Sequence, residues 1–197
     1  MPHIDYYFTP LSPFAYLAGD GLEKIAARHG ATIAYKAVNL GRAMSEFGGL
    51  PVPRRHPARQ EYRLQEIPRI AKRNGMPITL HPKHWPTDPI PATSAILAAA
   101  AAGNGDVGGL SQRLLAACWA QEKDIADQAV VDGALVASGF DPSKLDMAAA
   151  AARIEPLTDE AIKRGVFGAP FYILDDGAKF WGQDRLVYLE DHLAGKG

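Results

Sequence analysis

The sequence predicts an α/β protein in which a small mixed sheet is divided by a large all-helical insertion. Three observations predict it. A β-α-β pattern opens the chain, a β-β-α pattern closes it, and the long stretch between them carries helical periodicity with little strand character. The division expected is residues 1–40 for the first half of the sheet unit, 41–164 for the insertion and 165–197 for the second half.

Residues 4–8 form an apolar and aromatic run that reads as the first strand. Phe14, Leu17, Ala18, Gly21, Leu22, Ile25 and Ala26 then recur at the three-and-four spacing of one buried face. They predict a single long amphipathic helix that stops before Gly30, a usual residue just past a helix end. Residues 32–38 are β-branched and aromatic between glycines, a second strand reached by a right-handed crossover. In the insertion, helices are expected over 58–73, 94–102, 110–123, 128–138, 142–152 and 159–164. Pro68 should kink the first of them, because it lacks an N–H and crowds the preceding turn. The alanine runs 98–102 and 148–152 suit close helix packing. Prolines 77, 82, 86, 89 and 91 make residues 76–91 a long, stiff loop. It carries His81, Lys83, His84 and Trp85, either as the wall of a substrate cleft or as ordinary packed surface. The closing unit reads as strand 171–174, the turn Asp175-Asp176-Gly177, strand 179–181 and a helix over 185–193.

Twenty-one basic side chains balance 22 acidic ones, so the overall charge recruits neither nucleic acid nor an anionic membrane and favours a small-molecule partner. Cys118 is the single cysteine, which excludes an internal disulfide and a zinc cluster. It lies in an apolar helical stretch and is expected to be a buried structural thiol in a reducing compartment. Met1-Pro2-His3-Ile4-Asp5 lacks the basic start of a secretory signal, and no run approaches the ~18 apolar residues of a membrane span. A cytoplasmic protein with no metal site is expected.

Chemistry is concentrated where the first strand meets the first helix. Ser12 is a favoured N-cap and Pro13 a favoured first helical residue, so a serine hydroxyl lies beside unpaired N–H groups, a place to hold an anion such as a thiolate. Ser-Pro is also a common cap with no chemistry attached. Arg54, Arg55, His56, Arg59 and Arg63 make the one local basic cluster, a pattern usually found on a solvated helix face.

Three separated segments give this start its meaning: Leu11-Ser12-Pro13-Phe14-Ala15-Tyr16-Leu17-Ala18, Arg164-Gly165-Val166-Phe167-Gly168-Ala169-Pro170, and Trp181-Gly182-Gln183-Asp184-Arg185-Leu186. In this order the chain resembles the 2-hydroxychromene-2-carboxylate isomerases. These are related to kappa-class glutathione transferases and, more distantly, to thioredoxin-like disulfide oxidoreductases with Cys-x-x-Cys where this chain has Ser12 to Ala15. The resemblance implies a thioredoxin-like fold and glutathione as cofactor. It assigns Ser12 to the glutathione sulfur and a cis Ala169–Pro170 bond to the cysteinyl backbone. The backbone N–H of Gln183 goes to the γ-glutamyl carboxylate and Asp184 to the amine, although an aspartate at a helix start is by itself more often a simple cap. Arg59 goes to the glycine carboxylate, while Phe14, His84 and Trp85 become candidates for the substrate pocket. The implied activity is isomerisation of an unsaturated aromatic carboxylate by thiolate addition, bond rotation and elimination, in a possible homodimer. A kappa-like transferase or peroxidase and a non-catalytic glutathione or thiol binding protein are the alternatives. Relatives carry aspartate at the place of Thr9 and an asparagine in the loop occupied here by Gly48-Gly49-Leu50-Pro51, which leaves the particular substrate open.

Overall fold

The computed structural model describes residues 1–196. Strand β1 (His3–Phe8) is followed by helices α1 (Pro13–Leu17) and α2 (Gly21–His29), strand β2 (Thr32–Ala37) and helix α3 (Leu40–Glu46). Helices α4 (Pro57–Asn74), α5 (Ile90–Ala102), α6 (Val107–Trp119), α7 (Gln128–Ala137), α8 (Met147–Ala152) and α9 (Ile154–Lys163) fill the middle. Strands β3 (Phe171–Leu174) and β4 (Lys179–Trp181) and helix α10 (Leu186–Leu193) complete the chain. The sheet order is β2-β1-β3-β4, with β1 parallel to β2 and antiparallel to β3, so the two ends of the chain build one sheet around β1.

Both faces of β1 are covered beyond its first residue, which is why its side chains are apolar or aromatic on either parity apart from His3 and Asp5. Ile4, Tyr6 and Phe8 join the large core formed with α1, α2, α5 and α6, where Tyr6 stacks on Phe8 and on Tyr172 with ring centroids 4.3 and 5.2 Å apart. Tyr7 points to the opposite face, into a smaller cluster with Val38, Ala161, Val166, Phe171 and Ile173 beneath α9. Helix α5 buries Ala92 through Ala99, an all-round apolar helix as expected of one enclosed by its neighbours. Among the described residues no helix is long and apolar enough to cross a membrane.

Several expected elements are corrected. The single helix after β1 is two, because Gly19 adopts a φ of +60° and turns the chain before α2 begins. Pro68 lies inside α4, as expected, and the helix extends from Pro57 to Asn74. The helix expected over 142–152 is a 3-10 turn followed by α8, restarted where the Asp146 carboxylate accepts the Ala149 N–H at 2.8 Å. Helix α9 begins at Ile154, well before 159, since Pro156 falls in its first turn, where no donor is needed. Helix α6 starts earlier than 110, capped by Asp106, and stops at Trp119, short of 123; just beyond, Glu122 has a φ of +52°. Helix α5 starts at Ile90, four residues before expected, with Pro91 in its first turn. Helix α3 was not expected; its signal is Asn39, whose side chain accepts the Arg42 N–H at 3.2 Å. The last helix begins at Leu186, preceded by a 3-10 turn over Gln183–Arg185.

On the α9 side of the sheet, Asp5 is buried and forms a charged network. Lys36 Nζ lies 2.7 Å from Asp5 Oδ1 and 2.6 Å from Glu160 Oε1, and Arg164 Nη1 donates to Asp5 Oδ2 and, at 2.9 Å, to the Tyr7 hydroxyl. Burial would raise the Asp5 and Glu160 carboxyls. Hydrogen bonds from Lys36 and Arg164 to the first, and from Lys36 and Tyr7 to the second, outweigh it and hold both below their ordinary values. A carboxyl depressed on folding contributes stability that is fully present above its unfolded pKa, 3.8 for Asp and 4.5 for Glu, and lost as pH falls through the folded value. Asp5→Asn should therefore cost about 3 kcal/mol near neutral pH, the lower end for breaking a buried pair. In urea melts at a series of pH values, its deficit relative to wild type should shrink below about pH 4; a constant deficit across the series would show that the network contributes no linkage.

Candidate active site

The C-terminal end of β1 runs directly into Thr9 and Ser12, and the Ser12 N–H donates to the Thr9 carbonyl at 3.0 Å to close the turn. Ser12 is the N-cap of α1: its Oγ accepts the Ala15 N–H at 3.2 Å. Its hydroxyl faces the Ala169 carbonyl at 3.5 Å, a separation at the outer limit of hydrogen bonding, so the proton is held only loosely. Ser12 is 6% exposed. With five residues, α1 aligns fewer peptide units than the long helix expected from sequence, and the hydroxyl itself carries more of any anion stabilisation.

Ala169–Pro170 is a cis peptide, and Ala169, a partly buried residue, lies beyond Phe171, the last β3 residue paired with β1 or β4. Gly168 precedes it in close contact with Trp181: any Cβ there would run into the indole. The Gly182 N–H donates to the Pro170 carbonyl at 2.9 Å, which brings the Gln183–Arg185 turn beside the cis-proline loop. Gln183 is half-buried and Asp184 exposed, with Arg185 Nη1 3.3 Å from the Asp184 carboxylate.

The 76–91 loop closes the other side. Tyr16 OH donates to the Pro77 carbonyl at 2.8 Å, and Trp85 Nε1 donates to the Leu11 carbonyl at 3.2 Å, so Trp85 touches the residue before Ser12. Trp85–Pro86 is also cis. His84 goes elsewhere: its Nδ1 lies 3.7 Å from Asp124, which also accepts from Thr87 Oγ1 at 2.6 Å. Phe14 is half-buried against the core, the one residue of α1 that is not fully buried. Arg59 is exposed on α4, where its charge acts on Arg55.

Cys118 is buried, and burial followed by the Asp124 charge pushes its thiol up to about 12, so it is no nucleophile. Arg63 is the residue that sequence reasoning left among the solvated basics and that the fold buries. Its guanidinium carbon lies 5.5 Å from the Trp85 ring and 5.7 Å from Trp119. Burial, then Arg55, lowers its pKa to about 10. The signal was present in the sequence, because Arg63 extends the buried stripe Ile67 and Ala71 by one helical turn.

A DsbA-like thioredoxin domain model matches residues 3–194, and the chain belongs to that family. It is 31% identical over 197 residues to a 2-hydroxychromene-2-carboxylate isomerase of Pseudomonas putida, covering 96% of this chain and 93% of that one. A solved 2-hydroxychromene-2-carboxylate isomerase superposes with a TM-score of 0.78 at 28% identity, over 98% of this chain and 95% of that chain. Within the thioredoxin-like class the chain is thus a member of the 2-hydroxychromene-2-carboxylate isomerase family, and an enzyme of the isomerase class. It is also similar to glutathione S-transferase kappa 1 of Caenorhabditis elegans, 36% identical over 83 residues that cover 42% of this chain and 36% of that one.

Ser12→Ala removes the cap that accepts the Ala15 N–H. It should lower the unfolding free energy by about 1 kcal/mol, measured by urea denaturation. A loss of several kcal/mol would mean that Ser12 holds the fold as well as the turn.

Proposed function

We propose that the protein is a glutathione-dependent isomerase of unsaturated aromatic carboxylates of the 2-hydroxychromene-2-carboxylate type. The observation that carries the reading is the Ser12 hydroxyl, loosely engaged at 3.5 Å by the carbonyl of Ala169, itself only partly buried. The chain's own thiol is buried on another helix, so a sulfur nucleophile at Ser12 has to arrive with a bound molecule.

The residues around the turn fit glutathione. Ala169 presents a backbone edge beyond the strand ladder, suited to pairing with a peptide backbone. Gln183 and Asp184, held beside that edge by the Gly182–Pro170 bond, offer an N–H for a carboxylate and a carboxylate for an amine. Arg59, exposed on α4, is a cation for the remaining carboxylate. The Ser12 hydroxyl would donate to the sulfur, favouring the thiolate over the thiol. The chemistry supplied by the bound cofactor is reversible thiolate addition to a conjugated double bond, which frees that bond to rotate and restores it on elimination with no net redox change. Phe14 and Trp85 supply apolar and aromatic surface on either side of the Ser12 turn for a ring-bearing substrate. The similarity to a kappa transferase keeps one alternative, a transferase that consumes glutathione.

Glutathione added to wild type near neutral pH should produce a thiolate ultraviolet difference band that Ser12→Ala abolishes. Isomerisation of 2-hydroxychromene-2-carboxylate should fall about 100-fold in that variant, the usual loss for one preorganised donor to a developing anion. Undiminished isomerisation without any thiol would overturn the reading, and accumulation of a glutathione conjugate, read by mass, would favour the transferase.

A further inference from the structure

Asp5 and Arg63 are both charged residues that the fold buries, 8% exposed each, and they are treated differently. Asp5 is matched by Lys36 and Arg164. Arg63 is 8% exposed and, among the described residues, its guanidinium makes no ion pair and no hydrogen bond; the charged group that acts on it is another cation, Arg55. Its neighbours are the faces of Trp85 and Trp119. Aromatic faces attract a cation but accept none of its in-plane N–H bonds, so those donors, which are not sealed in the core, are left to solvent or a ligand. A buried guanidinium so placed favours an anion with two coplanar oxygens, and a carboxylate is that anion.

Arg63 also lies close to the Ser12 turn. Trp85 contacts Arg63 through its ring and the Leu11 carbonyl through Nε1, so a single aromatic side chain separates Arg63 from the residue before Ser12. We propose that Arg63 is the carboxylate anchor of the substrate cleft, binding the acid group of a planar aromatic substrate whose conjugated system lies against Trp85 and within reach of the Ser12 turn. This rests on the isomerase reading in taking the anion as the substrate's. A rigid, conjugated acid suits a guanidinium walled by two indoles, whereas the carboxylates of glutathione sit on a flexible aliphatic chain and have candidate partners at Arg59 and Gln183. Arg63 then fixes which end of the substrate faces Ser12 and acts as a specificity determinant.

The test is calorimetric titration of the glutathione-loaded protein with trans-cinnamate and with trans-cinnamamide, which differ only in the acid group. Wild type should bind the acid about 10- to 100-fold more tightly than the amide, the range for a charge-assisted bond. Arg63→Met, which keeps the length of the stem, should abolish the preference, and Arg63→Lys should restore part of it. Glutathione affinity should be unchanged in both, and thermal melting checks that each is folded. Should Arg63→Met fail to fold, a reduced preference in Arg63→Lys carries the test. Equal binding of acid and amide by wild type, binding of neither, or a preference that survives in the folded variants overturns the proposal. So does a loss of glutathione affinity with the cinnamate preference intact, which would assign the charge to the cofactor. An Arg63-dependent preference in a protein that does not isomerise 2-hydroxychromene-2-carboxylate would keep the anchor and remove the isomerase reading.

Discussion

The structure depends on β1 being paired on both edges and covered on both faces. Its parallel partner β2 comes from the first 40 residues and its antiparallel partner β3 from the last 30, so this strand is what makes one sheet from two distant segments. Its end delivers Ser12, and the β3 side delivers Ala169 and Pro170. The site is therefore a product of strand pairing: Ser12 and Ala169 meet because Tyr7 is in register with Phe171. The helices from α3 to α9 add the Trp85 wall and the buried Arg63 to a junction that the sheet has already made.

The two buried charges show two ways of meeting the same desolvation cost. Around Asp5, two cations, a tyrosine hydroxyl and a second carboxylate satisfy one another, tying α9 to the sheet. A network of that kind contributes to one arrangement of the fold and leaves little capacity for a ligand. Arg63 is wrapped in indole surface with its hydrogen-bonding edge unmatched, which leaves that capacity intact. The contrast separates a structural ion cluster from a recognition element without appeal to motif.

Much of this was legible in the sequence, and for identifiable reasons. Strands at 4–8, 32–38, 171–174 and 179–181 announced themselves because β-branched and aromatic runs stand between glycines and turn residues. Ser12 was legible locally as a helix cap suited to an anion, but its meeting with Ala169 and Pro170 was legible only through resemblance, since nothing local to residue 12 says that residue 169 will lie against it. Helix limits were less visible. The Gly19 break was concealed by an apolar spacing that continues across it, because α1 and α2 bury the same side of the chain. Arg63 was concealed by company: four basic neighbours made it look solvated, while its place on the Ile67–Ala71 stripe turned it inward. His84 could not be told from Trp85 by sequence, and their directions diverge because Asp124 takes the imidazole and Leu11 the indole.

The register that joins Ile4 to Leu174 has a bearing on how the chain acquires activity as it is made. The β1–β2 unit emerges from the ribosome long before β3 exists, so a nascent chain spends most of its synthesis with one edge of its central strand unoccupied. That edge is an open template for any other extended segment until β3 arrives. Contacts so distant in sequence are also slow to form. The half-site at Ser12 thus waits for its partner, and a chain interrupted before residue 170 carries the Ser12 turn without the Ala169–Pro170 backbone that lies against it.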